Sequence, residues 1–164
     1  NENIGWLTFE GYFLFKTTNE GDSWTNIGSA GSEIFFVNQD TEWATRSGGI
    51  YKSTDGGTNW VQKSSVNSSS LYFSDINNGW AVGAGGSILK STDEGEIWVA
   101  KTSGTSSNLN SVKFYDNNVG VCVGSSGTVV LSTDGGEGWF PKSSGTTNEL
   151  TSVKITDSTT VWIA

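Results

Sequence analysis

Four short segments of the chain combine oxygen-bearing side chains with glycine at a fixed spacing, and they are the first candidates for chemistry. Each reads Ser/Thr-x-Asp/Asn-x-Gly-x-x-Trp, at residues 17–24, 53–60, 91–98 and 132–139. Crowded oxygen ligands could bind Ca²⁺, but calcium loops need alternating oxygen ligands and usually a terminal Glu. Each segment carries few carboxylates, and Asp55 has no acidic neighbour within its motif. We therefore expect no metal site and no other cofactor.

The acidic residues could also serve a hydrolase, because a glycosidase needs only two carboxylates at a suitable separation. The chain has 17 Asp and Glu residues but no His, which excludes Ser–His–Asp and Cys–His catalysis as well as the usual zinc and copper sites. Four acids, however, recur just before an aromatic-marked strand: Asp40, Asp75, Asp116 and Asp157. Recurrence at equivalent positions indicates turn chemistry, so we predict that the chain is not an enzyme.

Composition points to many short strands joined by tight turns. The 164 residues include 22 Gly and one Pro, and 12% are aromatic, so large rings can fill a core despite a hydrophobic content of 34%. The net charge of -8 disfavours binding to nucleic acids or to anionic membranes. The one cysteine, Cys122, lies in an apolar run and is predicted to be a small buried hydrophobe.

Internal repetition sets the fold. The motif tryptophans are 36, 38 and 41 residues apart, and a second series keeps the same period at Trp6, Trp43, Trp80, Val121 and Trp162. Apolar residues precede that series by seven positions, at Phe36, Phe73, Phe114 and Ile155. Each period reads as four strands, which in the third repeat lie near residues 70–74, 80–82, 87–91 and 98–101. Four antiparallel strands in about 40 residues are typical of a propeller blade.

We therefore predict an all-β β-propeller of about four blades, each of four antiparallel strands. The chain is expected to be a single repeat domain, with repeats at approximately 1–33, 34–69, 70–108 and 109–148 and a partial fifth at 149–164. It begins at the second strand of a blade, and Val161–Ala164 duplicates the place of Gly5–Thr8. This redundancy, together with the lack of Met, favours an excerpt from a larger propeller or a self-associating unit.

The motif residues have a structural role in this interpretation. The Asp or Asn accepts backbone N–H groups of its own turn, the Ser adds a hydroxyl bond, the Gly supplies a positive φ, and the Trp packs between neighbouring sheets. We expect the turn to be less strongly stabilised in the first copy, where Asn replaces Asp and the charge is lost. The residues assigned to this role are Asn19, Gly21, Trp24, Ser53, Asp55, Gly57, Trp60, Ser91, Asp93, Gly95, Trp98, Ser132, Asp134, Gly136 and Trp139.

These turns resemble the Asp-box, or bacterial neuraminidase repeat. The longer unit, from Gly86 through Trp98 and then Leu109 to Gly124, is similar to the repeats of photosystem II stability/assembly factor-like proteins. The resemblance implies a β-propeller whose Asp-boxes lie on the blade periphery, away from any active site. Such repeats occur in sialidases, xyloglucan-cleaving glycosidases, sortilin-type receptors and assembly factors, and in many secreted proteins, so we expect an extracytoplasmic protein.

The resemblance leaves several functions open. A sialidase clamps its substrate with three arginines, whereas this chain has one, Arg46. We predict a non-catalytic interaction or assembly scaffold that binds a protein partner through loops between strands. Phe9, Tyr12, Phe13 and Arg46 are the candidate partner-binding residues, although members of the aromatic run could simply pack between blades. The alternatives are a fragment of a carbohydrate-active propeller and a self-associating cell-surface adhesive module. We expect neither nucleic-acid binding nor membrane insertion.

Overall fold

A computed structural model describes residues 3–9, 13–29, 31, 33–38, 40–157 and 160–164. In this part of the chain the regular structure consists of short antiparallel strands and two single 3₁₀ turns, which confirms the predicted all-β fold class. The chain divides into two compact units, residues 1–66 and 67–164. The division falls three residues before the predicted boundary between the second and third repeats, and the prediction of one domain stays a prediction.

The first unit contains two antiparallel sheets. One has three strands in the order β1-β2-β3, and the other has four strands in the order β4-β5-β6-β7. The strands are β1 (Gly5–Phe9), β2 (Phe13–Thr17), β3 (Thr25–Ser29), β4 (Glu33–Phe36), β5 (Glu42–Arg46), β6 (Gly49–Ser53) and β7 (Val61–Ser64).

The second unit contains two four-stranded meanders and one two-stranded sheet. Its strands are β8 (Ser70–Phe73), β9 (Gly79–Val82), β10 (Ile88–Ser91), β11 (Val99–Lys101), β12 (Leu109–Phe114), β13 (Gly120–Gly124), β14 (Val129–Ser132), β15 (Phe140–Lys142), β16 (Val153–Ile155) and β17 (Val161–Ile163). The four strands of the third repeat lie within one or two residues of their predicted positions. The meander order is the one expected for a propeller blade.

Aromatic rings fill the space between the two meanders of the second unit. Trp80 of β9 stacks on Phe114 of β12 with ring centroids 3.7 Å apart, and Trp139 meets Phe114 edge to face at 5.7 Å. The Trp80 indole N–H also donates to the carbonyl oxygen of Gly135 at 3.1 Å. The aromatic residues of the repeated series therefore join the two meanders of this unit to each other.

The opposite face of the β12–β15 meander packs against the two-stranded sheet. Val121 and Val123 of β13 form an apolar cluster with Leu150 and Val153. Cys122, which points the other way from the same strand, is fully buried, and burial raises the pKa of its thiol well above the usual value. The thiol therefore stays protonated and packs as a small apolar side chain.

Candidate functional site

The second motif shows how the acidic turns are built. The Ser53 hydroxyl donates to Asp55 Oδ1 at 3.0 Å and accepts the backbone N–H of Gly57 at 2.9 Å. The same carboxylate oxygen accepts the backbone N–H of Asn59 at 2.8 Å, while Asn59 Nδ2 donates to the other oxygen at 2.7 Å. The carboxylate thus closes its own turn. These hydrogen bonds lower the pKa of Asp55, and the bond from the Asn59 backbone N–H has the largest effect.

The third and fourth motifs repeat this geometry. Asp93 accepts the N–H of Ile97 at 2.9 Å, and Asp134 accepts that of Gly138 at 2.9 Å. Ser91 and Ser132 donate to these carboxylates at 2.8 Å. The backbone bonds lower the pKa of both aspartates, so these groups are ionised acceptors engaged within their own turns.

The first motif keeps the same bonds with different side chains. Thr17 takes the place of the serine, and its hydroxyl donates to Asn19 Oδ1 at 2.8 Å and accepts the N–H of Gly21 at 3.0 Å. Asn19 Oδ1 also accepts the N–H of Ser23 at 3.0 Å. The turn therefore forms without a charge on its central residue. That this turn is less strongly stabilised than the other three stays a prediction.

Two successive residues of each motif adopt the left-handed backbone conformation. The motif glycine does so with φ of 94° at Gly21 and 82° at Gly136. The residue before it does so as well, and in the first and third copies that residue is a glutamate, Glu20 or Glu94, with φ of 60°. At Gly136 glycine is also required by space, because a Cβ there would collide with the Trp80 indole.

The motif tryptophans differ in burial. Trp139 is 5% exposed, and its indole N–H donates to the carbonyl oxygen of Gly136 at 3.2 Å. Trp60 makes the same bond to Gly57 at 2.8 Å and is partly buried, as is Trp98. Trp24 is 40% exposed, so the expectation that every motif ring is buried between sheets is wrong for the first copy.

The turn between the first and second strands of a sheet corrects one predicted position. Asp75 and Asp116 accept two backbone N–H groups from their own turns at 2.7–2.8 Å. In the second repeat this role belongs to Asn38, which accepts the N–H groups of Asp40 and Thr41 at 2.9 and 2.8 Å. Asp40 is a donor in that turn, so its place in the recurring acid series was a misalignment.

The candidate partner-binding residues lie at two equivalent hairpins. Phe9 ends β1 and pairs in register with Phe13, which begins β2 and is 49% exposed, while Tyr12 lies outside the described residues. Arg46 ends β5 and pairs with Gly49 at the corresponding hairpin of the next sheet. The structure thus places these residues at the same kind of strand connection in consecutive repeats.

Arg46 sits on aromatic rings without an acidic partner in the described part of the chain. Its guanidinium carbon lies 4.3 Å from the centroid of the Trp60 ring and 5.5 Å from that of Tyr51. Its Nε and Nη2 atoms are buried and have no hydrogen-bond partner among the described residues. Burial lowers the pKa of Arg46, but an arginine keeps its charge in proteins. A planar cation with spare donors can bind a carboxylate in two-point fashion.

One unusual charged residue was missed from the sequence. Glu42 begins β5, its side chain is 0% exposed, and neither carboxyl oxygen has a hydrogen-bond partner among the described residues. Burial raises its pKa to about 7, against opposing effects of Ser53 and Lys16. The signal was present in the repeat register, because Gly5, Gly79 and Gly120 occupy the equivalent position in three other sheets and Val161 occupies it in the two-stranded sheet.

A groove of the second unit brings carboxylates and lysines together. It has a volume of about 290 Å³ and is lined by Lys90, Thr92, Asp93, Ile97, Val99, Lys101 and Glu137. Glu137 is ion-paired with Lys90 at 2.7 Å and with Lys101 at 2.6 Å. Both contacts lower the pKa of Glu137, and the contact with Lys101 has the larger effect. A general acid needs a raised pKa, so neither Glu137 nor the turn-bonded Asp93 suits that role.

Two other kinds of site are absent from the described residues. These residues contain no group of three or more His, Cys, Asp or Glu side chains placed to hold a metal ion. Nor does the described part of the chain include a helix with the length and apolar character needed to span a bilayer.

Comparison with known proteins relates the repeats to one family. Residues 61–131 match the sequence profile of the photosynthesis system II assembly factor YCF48. YCF48 from Cyanidioschyzon merolae superposes with a TM-score of 0.71 at 18% identity, over 98% of this chain and 60% of that one. YCF48 bound to a D1 peptide superposes with a TM-score of 0.51 at 18% identity, over 98% of this chain and 72% of that one. A search of curated proteins found no match.

Glycosidase structures share the fold too. An ancestral GH74 enzyme superposes with a TM-score of 0.69 at 20% identity, over 85% of this chain but 22% of the enzyme. The chain therefore spans less than two thirds of both the enzyme and the algal protein. Taken together, the structural matches show a propeller-type fold, and residues 61–131 are similar to the repeats of the photosystem II assembly factor.

Proposed function

We propose that this chain is a non-catalytic binding scaffold whose strand hairpins present Arg46 and Phe13 to an acidic segment of a protein partner. One observation carries the proposal: the guanidinium of Arg46 rests 4.3 Å from the Trp60 ring centroid with two donor atoms unpaired among the described residues. Buried donors without partners are costly. Arg46 is partly exposed at the hairpin, and a carboxylate that displaces the groups covering these two atoms would satisfy them.

The surroundings of Arg46 favour a carboxylate over other ligands. The Trp60 and Tyr51 rings hold the planar cation in place, which reduces the conformational entropy lost when it binds a planar anion. Phe13, exposed at the equivalent hairpin of the preceding sheet, would add apolar contact. A relative of the same fold has been solved with a bound peptide, which supports a peptide as the ligand.

The carboxylates argue for binding without catalysis. The motif aspartates Asp55, Asp93 and Asp134 have lowered pKa values and close their own turns, and Glu137 is engaged by two lysines. Glycoside hydrolysis needs a protonated acid next to a second free carboxylate. We extend the proposal to an extracytoplasmic location, on the similarity of the repeats to those of secreted proteins.

A peptide array tests the proposal. Acidic peptides and matched versions with Asn and Gln in place of Asp and Glu would be probed with the purified chain, with Arg46→Gln, and with Lys154→Gln as a control for loss of one positive charge. We expect binding to acidic peptides alone, lost in Arg46→Gln and kept in Lys154→Gln. Equal binding by all three proteins, or turnover of xyloglucan or sialosides, would overturn the proposal.

A further inference from the structure

Glu42 occupies a position that glycine fills in the β1–β3 sheet and in both meanders of the second unit, and that Val161 fills in the two-stranded sheet. It pairs in register with Ser53, the hydroxyl residue of its own motif. The equivalent pairs in three other sheets are Gly5 with Thr17, Gly79 with Ser91, and Gly120 with Ser132. Among the described sheets, the second repeat is thus the one that places an ionisable side chain at the start of this strand.

In the second unit, packing explains why glycine occupies this position. A Cβ on Gly79 would lie 2.5 Å from Cε1 of Phe73, and a Cβ on Gly120 would lie 2.5 Å from Cε1 of Phe114. In both sheets the aromatic ring lies directly over the glycine. Because Phe36 is the corresponding aromatic residue and pairs with Glu42, its ring cannot take that position in the second sheet.

The joint between the first and second sheets differs accordingly. Trp6 and Phe36 have ring centroids 4.5 Å apart and planes tilted by 35°, whereas Trp80 and Phe114 stack at 3.7 Å and 20°. The Trp80 indole N–H donates to a carbonyl oxygen, but that of Trp6 is buried without a partner among the described residues. The joint that contains Glu42 is therefore less completely packed and bonded.

The charged groups around Glu42 do not neutralise an ionised carboxylate. Lys16 of β2 is the cation that acts on it, and Lys16 Nζ lies over the Trp6 ring, 5.4 Å from its centroid. Asp40 and Asp55 of its own sheet act in the opposite sense. The Ser53 hydroxyl lowers the pKa of Glu42, but it donates to Asp55 Oδ1 at 3.0 Å and makes no geometrically acceptable hydrogen bond to either Glu42 oxygen. A buried carboxylate without hydrogen bonds is costly, so the packed joint favours the neutral acid.

We propose that Glu42 makes the joint between the β1–β3 and β4–β7 sheets sensitive to protons. The joint packs with Glu42 neutral and loosens when the carboxyl group ionises and draws water between the sheets. Because the other described sheets carry glycine or Val161 at this position, and neither can ionise, the response belongs to this one joint.

The direction of the effect follows from linkage. The pKa of Glu42 is about 7 in the folded chain and 4.5 in the unfolded chain. The folded state therefore binds more protons between these values, so the stabilisation is complete below pH 4.5 and is lost as the pH rises to 7. A difference of this size changes the opening equilibrium of the joint by about two orders of magnitude.

Hydrogen exchange of the whole chain at several pH values tests the proposal. After correction for intrinsic exchange rates, we expect protection at residues 3–66 to fall by about two orders of magnitude between pH 4.5 and 8 in the wild type. Glu42→Gln and Glu42→Gly should remove this dependence, whereas Glu20→Gln, an exposed acid of the same unit, should keep it. A dependence unchanged in Glu42→Gln would overturn the proposal.

A second measurement does not depend on the variants folding. The carboxyl carbon of Glu42, observed by NMR in the wild-type chain, should titrate well above the usual range for glutamate. Titration at an ordinary value would overturn the proposal even if both variants fail to fold. The peptide array reports on Arg46, so failure of one proposal leaves the other intact.

Discussion

Glu42 and Arg46 begin and end the same strand, β5, and lie on the same face of it, yet they do not pair with each other. Strand alternation places both on one face, four residues and about 13 Å apart. Their carboxyl oxygens and their Nε and Nη2 atoms have no hydrogen-bond partners within the described residues. The distance is too long for an ion pair, so Glu42 favours its neutral form and Arg46 stacks on Trp60.

The stacking of Arg46 makes a prediction about stability. Arg46→Lys should destabilise the first unit by about 0.5–2 kcal/mol, because lysine loses the planar contact with Trp60. Trp60→Leu removes the same contact from the other side. In urea unfolding of the two single variants and the double variant, we expect the double to cost less than the sum. Strict additivity would show that the contact contributes nothing.

The motif carboxylates should matter more as acceptors than as charges. Asp134→Ala removes the acceptor of the Gly138 and Glu137 N–H groups and of the Ser132 hydroxyl, and should lower the urea midpoint of unfolding. Asp134→Asn keeps one oxygen, as Asn19 does in the first repeat, and should lower the midpoint less than half as much. Asp22→Ala, an exposed acid, serves as the control. Equal losses in Asp134→Ala and Asp134→Asn would show that the charge dominates.

The repeat period was enough to predict the strands and the sheets, because each feature recurs and local errors average out. What it could not predict lies in departures from the repeat. The pKa of Glu42 depends first on burial and then on groups that include Lys16, which comes from another sheet and is distant in sequence. Asp40 was aligned by residue type, whereas the turn is set by the spacing of Asn38 from the next strand.

The lowered pKa values of the motif aspartates predict loss of stability in acid. Backbone hydrogen bonds lower the pKa of Asp93 and Asp134 below their unfolded value of 3.8. Their stabilisation is present above pH 3.8 and is lost as the pH falls through the lower folded value. At pH values below about 4, the melting temperature should therefore decrease as the pH is lowered. The decrease should be less steep in an Asp93→Asn/Asp134→Asn double variant. An equally steep fall in that variant would place the acid sensitivity elsewhere.

The last prediction concerns the glycine beneath Phe114. Gly120→Ala places a methyl group against the ring at the centre of the Trp80–Phe114–Trp139 stack and should cost about 1–3 kcal/mol in urea unfolding. Phe114→Leu alone should also destabilise the chain, by removal of the ring. In the double variant the methyl group has space that the ring occupied, so its cost should largely disappear. If Gly120→Ala costs the same free energy of unfolding with leucine at position 114, then the backbone, and not the ring, requires glycine there. In that case Glu42 would not displace the ring of Phe36.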